Sequence, residues 1–366
     1  LQQPEVRIVQ VDRRPGEVRF PGEPIAEARR ILVVRDGRLR DVVLTLPALQ
    51  ALRTTYPAAW IGLLVNPRFH PLATMFEDVD EVFGDPGTVG GVERLLGRFR
   101  PDLLVCASRK STAALAAWKG GIPNRVGPGY RLWSPIFHRR VDERAAGGDR
   151  HEVECALSFA HRAGAPGGEA LFRVTLAERA VECAGNWLDM HRVGRPFVVL
   201  HPGAATSCPP WPAGHFVQLA TLLEAEGVPV VISVGPGDVA VTQALEEEHP
   251  RIRRLPRFAG DLVTLAAIVS EDCVVAGGSG GPLHLAAALG SPTVAVHPPF
   301  PECSPDRWGP YARNGWAILP GHADARNWSR RVRRAQGDRL MAGIPPTAVM
   351  RCVRAVMDGQ RPESPD

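Results

Sequence analysis

Residues 30–57 read R-I-L-V-V-R-D-G-R-L-R-D-V-V-L-T-L-P-A-L-Q-A-L-R-T-T-Y-P, and two hydrophobic periods meet inside them. Arg30–Arg35 encloses a short β-branched run, which predicts a strand covered on both faces, as strands of parallel sheets are. A polar loop with Gly37 follows. From Asp41 to Pro57 the apolar residues recur at three-and-four spacing and predict a helix ended by Pro57. Pro47 within that helix predicts a kink or a late start, because proline has no N–H for the ladder and crowds the preceding turn.

The same unit repeats outward. Strands are predicted at Trp60–Val65, Val79–Phe83 and Leu103–Ala107, with a helix over Ser111–Trp118. A stretch rich in Pro, Gly and Arg spans 120–148, His151–Gly164 reads as a helix, and residues 164–170 read as an interdomain linker. The pattern then restarts. Strands or strand–turn units are predicted at Pro196–Gly203, Val228–Asp238, Cys273–Gly281 and Pro292–Pro298. Helices are predicted at His215–Gly227, Leu262–Glu271 and Pro282–Gly290, with a closing helix at the C-terminal end. Alternation at this pitch predicts an α/β chain with two doubly wound parallel sheets, helices on both faces of each. The domain division expected is a loosely held arm over 1–28, a first Rossmann-like domain over 29–170 and a second over 171–366. In such sheets ligands gather at the carboxyl ends of the strands.

A chain of 366 residues is long enough for two domains, and its 45% hydrophobic and 22% charged content is that of a globular protein. No apolar run is long enough to span a bilayer, and the first 28 residues lack a signal-peptide layout, so the cytoplasm is the expected compartment. The net charge of +4 is mild, and Lys110 and Lys119 are the only lysines. Arginine clusters at 139–140 and 330–334 come with no nucleic-acid-binding motif and read as solvated faces, so no nucleic acid partner is expected. Peripheral membrane contact through the basic N-terminal half is compatible with a lipid acceptor, although no amphipathic anchor is evident. The seven cysteines are scattered without a CxxC pair, which argues against structural disulfides and against a zinc site.

Four segments carry chemistry. Asp41 stands where a strand-to-helix loop ends; it reads as a helix cap, as a carboxylate able to take a proton from a hydroxyl, or as both. Residues 200–216, L-H-P-G-A-A-T-S-C-P-P-W-P-A-G-H-F, end a strand in a turn with Gly203, and the hydroxyls of Thr206 and Ser207 could hold phosphate. Residues 276–290, A-G-G-S-G-G-P-L-H-L-A-A-A-L-G, place small residues before a helix, where backbone N–H groups can approach an anion. His284 near that helix start suits a core histidine as well as a ligand contact. Trp308 and Tyr311, in S-P-D-R-W-G-P-Y (304–311), suit base stacking or a packed lid equally.

In this order the segments resemble glycosyltransferase family 9, the ADP-heptose:lipopolysaccharide heptosyltransferase group. Arg35–Leu49 resembles its R-L-G-A-L-G-D-V-V-L-T-T-P-A-L motif; His201–Ala204 with Trp211, Pro212 and Phe216 resembles H-P-G-A followed by W-P-x-x-x-F. Gly281–Pro292 resembles the end of D-S-G-P-M-H-L-A-A-A-L-G-T-P, Ser304–Tyr311 resembles S-P-x-R-W-G-P-Y, and His151–Glu154 resembles an H-x-V-E element. The resemblance implies a GT-B fold, two Rossmann-like domains facing a cleft, with acceptor on the first and nucleotide sugar on the second. It implies an inverting displacement with no metal and no cofactor, and the absence of a DxD motif agrees. Asp41 would be the catalytic base. His201, Gly203, Thr206, Ser207, Trp211, Ser279, Gly280, Gly281 and His284 would bind the donor, and Arg38, Arg40 and Lys110 would line the acceptor or phosphate side. The partners implied are a nucleotide-sugar donor, first an ADP-heptose, and a glycan, glycolipid or small-molecule acceptor, first the lipopolysaccharide core.

Three departures fall on the chemistry. Arg40 replaces the family's glycine before the aspartate, Cys208-Pro209-Pro210 replaces its basic residue before W-P, and Ser279-Gly280 replaces Asp-Ser. They leave open a different nucleotide sugar with a secondary-metabolite or surface-glycan acceptor, or a non-catalytic member that binds a nucleotide sugar. An epimerase of similar shape fits less well, since it would need further carboxylates and histidines.

Overall fold

The computed structural model describes residues 6–11, 25, 28–142, 150–166, 170–203, 208–236, 238, 243, 247, 250–321 and 328–363. The chain divides into two compact units, Arg14–Thr175 and Leu1–Arg13 with Leu176–Asp366.

The chain opens with β1 (Val6–Gln10), which belongs to the second unit. The first unit's sheet holds β2 (Arg30–Arg35), β3 (Trp60–Val65), β4 (Glu81–Gly84), β5 (Leu103–Cys106), β6 (Asn124–Pro128) and β7 (Arg139–Val141). All are parallel and run in the order β4-β3-β2-β5-β6-β7. The helix expected after β2 is two: α1 (Leu39–Val43) and α2 (Leu46–Thr55), with Pro47 in the first turn of α2. Thr45 heads α2, and its hydroxyl turns back to donate to the Asp41 carbonyl at 2.8 Å. Proline is tolerated at that place because the first-turn N–H groups have no intrahelical partner. Helices α3 (His70–Ala73), α4 (Val89–Phe99), α5 (Thr112–Lys119) and α6 (Glu152–Arg162) complete the unit. α4 and α5 cover one face through Val92, Leu96, Phe99, Ala113 and Ala117 against Leu32, Val34, Leu64 and Leu104. α6 packs on α2, where Tyr56 donates its hydroxyl to the Ala163 carbonyl at 2.6 Å.

The second sheet holds β8 (Phe197–His201), β9 (Val230–Ser233), β10 (Arg257–Phe258), β11 (Cys273–Gly278), β12 (Thr293–Val296) and β13 (Gly315–Pro320). Helices set out among its described residues are α7 (Glu178–Met190), α8 (Ala213–Ala225), α9 (Leu262–Val269), α10 (Gly281–Ala288), α11 (Pro305–Trp308), α12 (Arg330–Ala342) and α13 (Pro346–Met357). Alternate residues of β8 enter opposite cores. Val198 and Leu200 pack with Trp211, Phe216, Leu223 and Val353, whereas Phe197 and Val199 pack with Ala184, Leu188 and Ile268. This two-sided burial is why the strand reads as an unbroken apolar run rather than an alternation.

The strand order is β1-β13-β12-β11-β8-β9-β10. Val6–Gln10 pairs antiparallel with β13, from Val6 opposite Pro320 to Gln10 opposite Trp316. At Val6–Gln10 this corrects the expectation of a loose arm over 1–28. The β-branched residues Val6, Ile8 and Val9 close a sheet edge contributed by a strand more than three hundred residues later, a partner no local pattern reveals.

Candidate functional site

Each sheet, taken by its own parallel strands, has the order 3-2-1-4-5-6, and each reverses direction once: between β2 and β5 in the first unit, and between β8 and β11 in the second. Loops leaving neighbouring strands there diverge to opposite faces and open a crevice at the carboxyl ends, where ligands of such sheets bind.

At the first switch point, Asp41 is the third residue of α1, and its Oδ2 accepts the Arg38 N–H at 2.8 Å. The carboxylate therefore caps the helix, and its side chain stays 21% exposed. Gly37 makes room for it, since a Cβ there would lie 2.4 Å from Oδ2. Arg40 is buried with its Nε 4.0 Å from Asp41 Oδ1. Burial pushes the Arg40 pKa below its ordinary value while the Asp41 charge opposes that shift. Arg38, which immediately precedes α1, is exposed.

Lys110, expected on the acceptor or phosphate side, is paired with two carboxylates: its Nζ lies 3.1 Å from Asp36 Oδ2 and 3.0 Å from Asp85 Oδ2. Partial burial works to lower its pKa, but the hydrogen bonds to Asp85 and Asp36 prevail and raise it. The Ser108 hydroxyl donates to Asp36 Oδ1 at 2.6 Å and accepts the Lys110 N–H at 3.0 Å. Asp36, Asp85 and Ser108 follow β2, β4 and β5 and were not singled out from the sequence. Asp36 stood inside the quoted motif, but nothing local marked its partners.

At the second switch point the materials are small residues. β8 and β11 align His201 with Gly277, where a Cβ on Gly277 would meet the His201 carbonyl oxygen at 2.6 Å. Gly280 immediately precedes α10, close to the His201 ring, and Gly281 is the helix's first residue. His201 is buried, with Nδ1 3.0 Å from Ser233 Oγ and Nε2 3.8 Å from Asp238 Oδ2. Burial lowers its pKa, which leaves a neutral imidazole, although Asp238 and the Ser233 backbone oppose the shift. Gly203 gives space to Asp238, whose Oδ1 a Cβ would approach to 2.4 Å. Asp238 was also missed; the V-G-P-G-D turn was its only signal.

Ser279 donates to the Trp308 carbonyl at 3.2 Å and so ties the glycine turn to the R-W-G-P-Y segment. Trp308 and Tyr311 are both buried, which favours the packed arrangement over open stacking. Trp211 sits in the core, donating Nε1–H to the Ile344 carbonyl at 2.9 Å and meeting Phe216 edge to face. His284 is buried in α10. Thr206 and Ser207 lie outside the described residues.

The expectation that the cysteines form no structural disulfide is overturned. Cys208 and Cys303, 95 residues apart, are bridged, with Cα atoms 6.0 Å apart. They follow β8 and β12, which flank β11, so the sheet order brings together two loops that no spacing rule connects. Among the described residues, Cys106, Cys155, Cys183, Cys273 and Cys352 take no part in a disulfide. No described helix is long and apolar enough to cross a membrane, and no described group of three or more His, Cys, Asp or Glu is set to hold a metal ion.

Two units, each built on a parallel sheet that reverses strand order once, give an α/β architecture of GT-B type. Residues 94–334 match the profile of glycosyltransferase family 9 (heptosyltransferase), and the chain belongs to that family. It is 22% identical over 338 residues to the lipopolysaccharide heptosyltransferase 3 of Escherichia coli, covering 86% of this chain and 95% of that one. Its fold matches the crystal structure of a family 9 glycosyl transferase from Veillonella parvula at a TM-score of 0.74 and 20% identity, covering 91% of this chain and 98% of the other. It likewise matches the E. coli ADP-heptose lps heptosyltransferase II at 0.73 and 20% identity, covering 90% and 99%. The chain is thus a glycosyltransferase of the heptosyltransferase family.

Proposed function

We propose that the chain transfers a heptose from ADP-heptose to a hydroxyl of a lipopolysaccharide-core glycan or glycolipid, by a single inverting displacement that needs no metal ion. The observation that carries this reading is Asp41: a carboxylate held in place by the Arg38 N–H, part-exposed, at the switch point of the first sheet. Asp41 takes the proton of the acceptor hydroxyl as its oxygen attacks the anomeric carbon. The bond from that carbon to the diphosphate breaks, and the nucleoside diphosphate leaves with the electron pair. Attack opposite the leaving group inverts the centre. The second unit holds the donor, its diphosphate facing the N–H groups at the start of α10, where the helix dipole favours negative charge.

The nature of the donor supports a second reading, the same reaction with another nucleotide sugar. Where the family places a basic residue before W-P, this chain carries the Cys208–Cys303 bridge followed by two prolines, and Ser279 is engaged by Trp308. A charged hydrogen bond to phosphate contributes roughly 1.5–3 kcal/mol, so its loss calls for a donor held by other contacts. The test is thermal unfolding of the purified chain with ADP, GDP, UDP, dTDP, CDP and their sugar conjugates. A ligand at about 100 times its Kd raises stability by about 2.7 kcal/mol. Selective stabilisation by ADP and ADP-heptose supports the first reading, another nucleotide moves the donor, and no response to any sinks both.

A further inference from the structure

The H-E-V-E element at 151–154 has no part in the reaction just described, yet its first glutamate reaches the strand that leads to the base. Glu152 Oε1 lies 2.6 Å from Arg35 Nη2, with both side chains under 10% exposed. The other two arms of the same guanidinium are committed as well. Nη1 donates to the Ala107 carbonyl at 2.9 Å, and Nε donates to the Asp41 carbonyl at 3.1 Å. Arg35 therefore joins the carboxyl ends of β2 and β5, the start of α6, and the backbone of Asp41.

That carbonyl has a second donor, the Thr45 hydroxyl at 2.8 Å. Two donors converging on one oxygen fix the peptide plane that follows Asp41, one bond from the Cα that carries the carboxylate. Glu152 is itself held firmly. It opens α6, where a negative charge is favoured by the helix dipole. His151 Nδ1 accepts the Val153 N–H at 3.1 Å, and α6 is anchored to α2 through Tyr56 and Ala163.

We infer that Arg35 and Glu152 are positioning residues for transfer: the buried pair sets the turn that carries Asp41, without either side chain touching substrate. The inference rests on Asp41 being the base. The three acceptors are met by three different nitrogens spread around a rigid plane, whereas an ammonium gathers its three donors on one nitrogen, so arginine is required and charge alone is not enough.

The test compares wild type, Arg35→Met with Glu152→Leu, Arg35→Lys and Asp41→Asn. Removing both charges together leaves neither member of the pair as a lone buried ion, and because Glu152 also supports the buried Arg40, denaturant unfolding first checks that the double variant folds. Amide hydrogen exchange needs no substrate. It should quicken about tenfold in peptides over 39–45 while β2, β3 and β5 keep their protection, because the change is a local opening. With ADP-heptose as donor and heptose-deficient lipopolysaccharide as acceptor, kcat should fall roughly 10²-fold, the order expected for a displacement near 1 Å, with the donor KM little changed. Arg35→Lys should stay slow. Unchanged exchange over 39–45, wild-type kcat in the double variant, or full rescue by lysine overturns the inference. Wild-type transfer by Asp41→Asn overturns the base reading instead, so the two failures are separable.

Discussion

The two switch points share one strand order and differ in what lines them. The first is built from side chains: Asp36, Asp41, Asp85, Lys110, Arg35 and Arg40, with Glu152 behind them. The second is built from the absence of side chains, with Gly203, Gly277 and Gly280 around a buried neutral His201. Moving a proton needs a carboxylate held at a defined place. Holding a diphosphate needs backbone N–H groups that nothing obstructs. Under the proposed function, one topology would supply both through its loops alone.

Breaking the first region should have the largest effect. Asp41→Ala is expected to slow transfer by about 10²–10⁴, the usual contribution of a general base. Transfer at wild-type rate would remove Asp41 from the mechanism. Stability should fall by only about 1 kcal/mol for the lost cap, measured by denaturant unfolding.

The second region should respond in stability before rate. Cys208→Ser with Cys303→Ser, or reduction by dithiothreitol, should lower the unfolding free energy by about 2–4 kcal/mol, because the bridge restricts the unfolded chain. Identical melting curves with and without reductant would show the bridge to be absent in solution. Gly277→Ala puts a methyl against the His201 carbonyl and should destabilise by about 1–3 kcal/mol. The equivalent change at exposed Gly97, where a Cβ meets nothing within 4 Å, should be neutral or stabilising, and thermal unfolding compares the two.

The smallest effect is in pH. His201 is held neutral by burial, so its folded pKa lies below that of the unfolded chain. Between those values the unfolded state binds more protons, and stability is lost as pH falls below the ordinary histidine value. Its contribution is full above that value and levels off once pH is below the folded pKa. His201→Gln should flatten this part of the stability–pH curve; an unchanged slope would assign it to other buried histidines such as His161, whose pKa burial also lowers.

Much of this was legible from residue order. The strand at Arg30–Arg35, the break at Pro47, the H-P-G strand end and the glycine turn are local events, set by hydrophobic period and by what proline and glycine permit. Asp41 was legible for the same reason, its capping role following from its place at a helix start. Lys110, expected on the acceptor or phosphate side, carries in the sequence no mark of the two carboxylates it meets. The partner of the Trp211 indole, the Ile344 carbonyl 133 residues on, left no mark in its motif either.

The amino-acid order by itself determined the alternation of strand and helix, the two parallel sheets, the loops at their carboxyl ends and the family. Only the tertiary structure decided that Arg35 meets Glu152 across 117 residues, that Cys208 meets Cys303 across 95, and that Val6–Gln10 closes the far sheet. The reason is physical. Periodicity reports which way a side chain faces on its own element, whereas a partner on another element is set by strand order and register, which emerge only when whole faces are buried together.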